Sequence, residues 1–357
     1  MALTIGSFNL CNFSSKTKGR KFPKDFDAVA EAILKSGADV IALQEVIDQI
    51  AIDNLLNKLR GFGGANRDWR AFFDKKQTWR NNREGYAFVW DEKCVTFAKD
   101  DDGNEALPEL VTKFTSIKRP PMVARFVTTR LGELHYELCV INTHIVFDPD
   151  GYQKRHPEWY GGAAIRAFEY SKIVNSIYPR FSGKLCTCTI IAGDYNLKSQ
   201  MLKKVNDRPK QFEGQPTMMS VQSDKTTIKI IDSMIDEAPE SGGSKPNGIS
   251  LFSVIYNGVM RLFKNDESLD QSQSLLVDKQ APLEARQPTV DGAYVNDYDH
   301  FSFEVGRVGD YVRNAHRIQA PELIYPMPSR MFHSYKERVS DHVPIVATLD
   351  LSTSQVI

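Results

Sequence analysis

The sequence predicts an α+β fold, a two-sheet β-sandwich flanked by helices, on three observations. Short apolar runs with the two-residue period of strands alternate with runs of helical period along the 357 residues. The strand-like runs stop on acids, amides and histidines, which lines those side chains along one rim of the sheets. No internal repeat, heptad or apolar stretch of membrane-spanning length competes with that architecture.

Taken in order, Leu3–Leu10 has strand character and brings Asn9 and Asn12 to its end. The basic loop Lys16–Lys21 follows, and Pro23 opens a helix with Phe26, Val29, Ala30, Ile33 and Leu34 on one face, stopped by Gly37. The short strand Val40–Leu43 delivers Gln44 and Glu45. A second helix carries Ile47, Ala51, Leu55 and Leu59 in register, with Gly61 as its stop. The positive loop Lys75–Arg83 contains Trp79. Glu84 stands at the entrance of the strand Gly85–Trp90.

Strands are expected at Met122–Val127 and at Tyr136–Ile141, the second running into Asn142-Thr143-His144. A helix from about 162 to 178 places Ala164, Phe168, Ser171, Val174 and Tyr178 on one side. Then comes Ile190-Ile-Ala-Gly-Asp-Tyr-Asn196, the stretch around which the chain is organised. Strand alternation there aims Asp194 and Asn196 to one side, and Gly193 lets the backbone approach whatever binds. From 198 to about 290 the pattern weakens, with a strand at Thr227–Ile231, a Gly/Ser-rich loop at 240–248 and an apolar run at 251–263. This region is expected to elaborate a single domain covering 1–357. Order resumes at Asp297–Phe303 and closes on Val339–Leu349.

Lys+Arg and Asp+Glu are both 45, so a partner rich in phosphate would have to meet locally concentrated positive charge. Five cysteines without metal-site spacing, and no signal-peptide pattern, point to a reduced, cytoplasmic setting, with secretion by another route as the alternative.

Five short segments carry a resemblance: Ser7-Phe-Asn9, Ile41-Ala-Leu-Gln-Glu45, Ile141-Asn-Thr-His144, Gly193-Asp-Tyr-Asn196 and Ser340-Asp-His-Val-Pro344. In this order they resemble the endonuclease/exonuclease/phosphatase superfamily, with the four-layer fold of pancreatic-type deoxyribonuclease. Arg83–Trp90, Arg119–Phe126 and Tyr298-Asp299 are similar to the deoxyribonuclease branch. His300 stands where many relatives carry arginine.

The resemblance implies a divalent-metal-dependent phosphodiester hydrolase, a DNA endonuclease of low sequence specificity. The alternative is a sphingomyelinase-like or other lipid or small-molecule phosphodiesterase or phosphatase, for which 251–263 would supply a membrane contact. Glu45 and Asn9, with Asp341, would hold Mg²⁺, and Mn²⁺ or Ca²⁺ would substitute or assist. Hard oxygen donors of this kind suit such ions. His342, backed by Asp299, would activate water, and His144, paired with Glu84, would stabilise the phosphate. Asp194 and Asn196 would orient the water and bind the scissile phosphate. Arg119, Arg83, Lys76 and Arg80 would contact DNA phosphates. Which histidine is base and which is acid the sequence leaves open.

Overall fold

The computed structural model describes residues 2–16, 23–63, 66–74, 84–113, 117–129, 136–146, 161–182, 187–207, 217–222, 225–228, 294–309, 311–324 and 331–351. All belong to one compact unit drawn from Met1–Ile230 and Gly292–Ile357. Lys76, Trp79, Arg80 and Arg83 of the second basic loop lie outside the described residues, as do most of the first basic loop, the 240–248 loop and the apolar run at 251–263.

One sheet has the order β14-β15-β1-β2-β4-β3. Its strands are β1 (Ala2–Phe13), β2 (Val40–Val46), β3 (Trp69–Asp74), β4 (Gly85–Asp91), β14 (Val312–Arg317) and β15 (Ile345–Asp350). The other has the order β10-β13-β9-β8-β7-β5, with β6 paired to β7. It comprises β5 (Val95–Phe97), β6 (Glu109–Leu110), β7 (Met122–Thr128), β8 (Glu137–His144), β9 (Thr187–Asp194), β10 (Met218–Gln222) and β13 (Asp299–Glu304). A small pair, β11 (Thr227–Ile228) with β12 (Tyr294–Asn296), stands apart. Both sheets are mixed: β1 and β2 run parallel, as do β8 and β9, and the other pairings are antiparallel.

The α-helices of five residues or more are α1 (Phe26–Ser36), α2 (Gln49–Gly63), α3 (Gly161–Lys172), α4 (Ser199–Asn206), α5 (Ala320–Ile324) and α6 (Met331–Arg338), and a single α-turn spans Tyr178–Phe181. Helix α1 starts after Asp25, whose side chain accepts the Ala28 N–H, and not at Pro23. Gly37, in the left-handed region at φ 67°, ends it as expected. Helix α3 gives way to a π-helical turn at Ile173–Ile177. The buried set includes Ala167, Tyr170, Ile173, Val174, Ile177 and Tyr178, while Phe168, expected on the buried face, is exposed already ahead of the π turn.

Three apolar clusters make the layers. Leu3, Ile5, Val40, Ala42, Phe88 and Trp90 meet Ala124, Phe126, Val140, Ile190, Ala192 and Phe301 between the two sheets. A second cluster lies where α1, α2 and α6 cover the outer face of the first sheet. A third joins the face bearing Ile141 and Ile191 to the Tyr170–Tyr178 segment. The result is a helix–sheet–sheet–helix sandwich, as the sequence predicts. Three elements from the weakly patterned 198–290 stretch are described: α4, β11 and β10, the last hydrogen-bonded to β13 at a sheet edge.

Candidate active site

Strand direction gathers the polar residues. The C-terminal ends of β1, β2, β8 and β9 fall at the same rim as the starts of their antiparallel partners β4, β15, β13 and β7. Parity then decides which side chains face inward. Leu3 and Ile5 pack between the sheets and Asn9 continues their side of β1. His144 continues Leu138 and Val140, and Asp194 continues Cys188, Ile190 and Ala192. Asp299 shares the face of Phe301 and Phe303, as Glu84 does that of Tyr86 and Phe88.

Glu45 is the exception. On β2 it has the parity of Ile41 and Leu43, which face the helices. Its backbone switches to φ 59°, an uncommon conformation for a non-glycine residue, and the carboxylate turns into the cleft. Among the described residues the other non-glycine residues with positive φ are Cys11, Asn12 and Asn196, and all three line the same cleft. Such backbone outliers characteristically cluster at functional sites.

The cleft has a volume of about 560 Å³. On one side the Asn9 amide donates to Glu45 Oε1 at 3.1 Å and to Asp194 Oδ2 at 3.0 Å. The Asn12 N–H holds Glu45 Oε2 at 2.9 Å. Asn9, Glu45 and Asp194 therefore converge on one point, where the two carboxylates present hard oxygens, while Asn9 Oδ1 accepts the Cys11 N–H at 2.9 Å. Glu45, Glu84 and His144 form one acid–histidine group, and Asp194, Asp299 and His342 another. This donor set fits a hard divalent cation, with Asp341 lining the cleft beside it.

The two histidines are set in opposite senses. Arg119 Nη1 donates to His144 Nδ1 at 2.5 Å, and Arg119 Nη2 lies 2.8 Å from Glu84 Oε2. Since arginine can only donate, Nδ1 is the bare nitrogen and Nε2 carries the proton. That N–H faces Asp194 Oδ2 at 3.6 Å and Glu45 Oε1 at 3.8 Å. Burial first, then the charges of Arg119 and His342, hold the pKa of His144 well below the usual imidazole range. His342 is the reverse: burial alone would depress it, but the carboxylates of Asp299, Asp194 and Asp341 outweigh burial and hold it well above that range. Its Nδ1 lies 2.7 Å from Asp299 Oδ2, and its Nε2 lies 3.6 Å from Asp194 Oδ2.

The direct Glu84–His144 pairing expected from the sequence is replaced by a relay. Glu84 Oε2 is 3.9 Å from Nδ1, and Arg119 stands between them. Asn196 reaches the cleft through a turn, not by alternation: strand β9 ends at Asp194, whose carboxylate accepts the Asn196 N–H at 2.8 Å. The Asn196 amide donates to Ile145 O at 2.8 Å. Gly193 serves the neighbouring strand and not a ligand, because a Cβ there would sit 1.8 Å from the carbonyl oxygen of Thr143. His300 is buried and contacts Leu197 O at 2.8 Å through Nε2, so it takes no part in the cleft.

Sequence reasoning passed over several supports. Gln44 donates to Asn142 Oδ1 at 2.8 Å, a polar bridge across the sandwich directly beneath the rim. The Tyr86 hydroxyl accepts the His144 N–H at 2.9 Å. Ser340 Oγ donates to Asn9 O at 2.6 Å, and buried Lys24 donates to Leu10 O and Val339 O, tying the Asn9 end to the His342 loop. Lys336, Thr227, Asn296 and Tyr298 also line the cleft. For Gln44 and Asn142, the signal available was a polar residue at an inward-facing strand position.

The family model for the Endonuclease/Exonuclease/phosphatase family matches residues 6–342. No curated protein sequence matches the chain. Among solved structures, an endonuclease/exonuclease/phosphatase from Bacteroides vulgatus aligns at 12% identity and TM-score 0.49, over 99% of this chain and 100% of that one. D. rerio TDP2 complexed with single strand DNA product aligns at 12% identity and TM-score 0.48, over 98% and 99%. ANGEL2, a 2′,3′-cyclic phosphatase, aligns at 11% identity and TM-score 0.49, over 98% and 95%. With the family model spanning four of the five segments in full and the fifth through His342, the chain belongs to the Endonuclease/Exonuclease/phosphatase family of phosphoester hydrolases.

Proposed function

We propose that this protein is a Mg²⁺-dependent phosphodiesterase that cleaves DNA with little sequence specificity. The observation that carries the reading is the convergence, in one cleft, of a hard-oxygen donor set, a buried arginine and two oppositely tuned histidines. Arg119 Nε is buried and makes no hydrogen bond among the described residues, which leaves a donor for an anion.

Asn9, Glu45 and Asp194, with Asp341, would hold the cation. When bound, it supplies charge relief to the phosphate and a lower pKa for water. His342 would accept the proton of the attacking water in its neutral form, which a cation held by Asp194 and Asp341 would favour by offsetting the carboxylate charges that raise its pKa, and Asp299 fixes its tautomer and stabilises the imidazolium. His144 stays neutral and offers Nε2–H to the oxygen on which charge develops, with Glu84 acting on it through Arg119. Asp194 and Asn196 orient the water and the scissile phosphate.

DNA ranks first among substrates because Arg119 and the Glu84–Trp90 segment resemble the deoxyribonuclease branch, and Lys76, Arg80 and Arg83 add positive charge just before Glu84 in the chain. The test is incubation with plasmid, single-stranded DNA, RNA, sphingomyelin and phosphoinositides, each with Mg²⁺ or EDTA. Metal-dependent nicking of plasmid is the expected result. Turnover of sphingomyelin or phosphoinositide alone would replace DNA by a lipid substrate.

A further inference from the structure

Besides Arg119, Lys336 is the other arginine or lysine among the described residues lining the cleft, and the chemistry above gives it no task. Its position follows from helix periodicity. On α6, Phe332 and Tyr335 turn toward the core, as does Val339 just past its end, at spacings of three and four. His333 and Glu337 pair on the outer side at 3.5 Å. Lys336 falls on the flank between those two faces, and that flank meets the cleft.

Another part of the cleft wall is built from fixed backbone. The Thr226 carbonyl accepts the Val343 N–H at 3.0 Å, and Thr227 bridges to His342. Thr227 Oγ1 accepts the Asn296 N–H at 3.1 Å, which locks β11 to β12. Lys336 lines the same cleft as the neutral hydrogen-bonding residues Thr227 and Asn296, and acts on Asp341, whose charge it helps to stabilise. Arg119 belongs to the reacting centre through His144 and Glu84, whereas Lys336 enters from a different element.

We infer that Lys336, with Thr227 and Asn296, forms a second phosphate subsite, which takes the phosphate next along a nucleic-acid strand from the one being cleaved. The inference rests on the phosphodiesterase reading and narrows it. A lysine ammonium in one cleft with an amide and a hydroxyl suits a phosphate, since lysine recognises it as a point charge and neutral donors complete the oxygen contacts. A strand presents phosphates at regular spacing, so contacts of this kind position the substrate without reading sequence.

The test compares hydrolysis of the central diester in TpT and in its doubly end-phosphorylated form, pTpTp, followed by chromatography of the products. For the wild type, kcat/KM should favour pTpTp about tenfold, the scale of one hydrogen bond to a charged group. Lys336→Gln should bring that ratio to about one, and Lys336→Arg should keep most of it. An undiminished ratio in Lys336→Gln overturns the subsite, as does a wild-type ratio of one. A Lys336→Gln protein that loses kcat equally on both substrates, with the ratio intact, makes Lys336 a support for Asp341 instead. Cleavage of neither dinucleotide by wild type overturns the phosphodiesterase reading and the subsite together, whereas cleavage of both at equal rates overturns the subsite alone.

Discussion

Glu169 is expected to make this protein less stable as pH rises through the neutral range. Its side chain is 3% exposed on α3, and its Oε1 is reached by the Lys118 N–H at 3.4 Å, beside the residue that positions His144. Burial raises its pKa from 4.5 to about 7, against the opposing effects of Lys118, Arg119 and Arg166. Between those two values the unfolded chain has released the proton while the folded protein keeps it. Stability then falls with rising pH, is unaffected by this group below pH 4.5, and has lost its full increment above about pH 7. At about 1.4 kcal/mol per pH unit the whole effect is on the order of 3 kcal/mol. Glu169→Gln keeps the shape and removes the titration. In urea unfolding at pH 4, 5, 6, 7 and 8, the variant minus wild-type stability should climb by roughly that amount from the acid end to the alkaline end. A difference that stays flat with pH would refute the buried-carboxyl argument, and one that climbs in the opposite direction would refute its sign.

Further outcomes follow from the cleft. His144→Ala and His342→Ala should each cost on the order of a hundredfold or more in kcat with the fold retained, and near wild-type turnover in either would sink its role. Asp299→Asn removes a carboxylate that helps to raise the pKa of His342, so the limb of the pH–rate profile assigned to that histidine should move to lower pH; an unmoved limb would show that Asp299 does not set it. Gly193→Ala drives a methyl into the Thr143 carbonyl and should cost at least about 2 kcal/mol of stability while displacing Asp194, as read by thermal melting and activity; a variant as stable and active as wild type would contradict that packing.

Period two made most of this site legible. Once Ile190 and Ala192 are read as core, Asp194 must face the same way, and the same holds for His144 after Val140 and for Asp299 before Phe301. Parity fails at Glu45, because a left-handed turn of the backbone leaves no trace in residue type when the residue is not glycine. The Arg119 relay was equally hidden: the sequence supplied Glu84, Arg119 and His144, but which of them stands between the others depends on how β4, β7 and β8 pack. Gly193 looked like room for a ligand, although its actual neighbour lies on a strand some fifty positions earlier, a contact only the β8–β9 register creates. The 162–178 helix buries Ala167 and Tyr170 and not Phe168, because apolar residues on adjacent flanks leave two phases open until packing selects one.

The central claim is that the rim carboxylates hold a catalytic divalent cation, and metal-stripped protein titrated with Mg²⁺ on bis(4-nitrophenyl) phosphate tests it most directly. Wild type should be inactive after stripping and regain activity saturably. Glu45→Gln, which loses one of the converging charges, should need about tenfold more Mg²⁺ for half-maximal rate, the lower end of what a lost charge-assisted contact costs. Undiminished turnover in EDTA after exhaustive stripping, or an unchanged half-saturation in Glu45→Gln, would contradict the account.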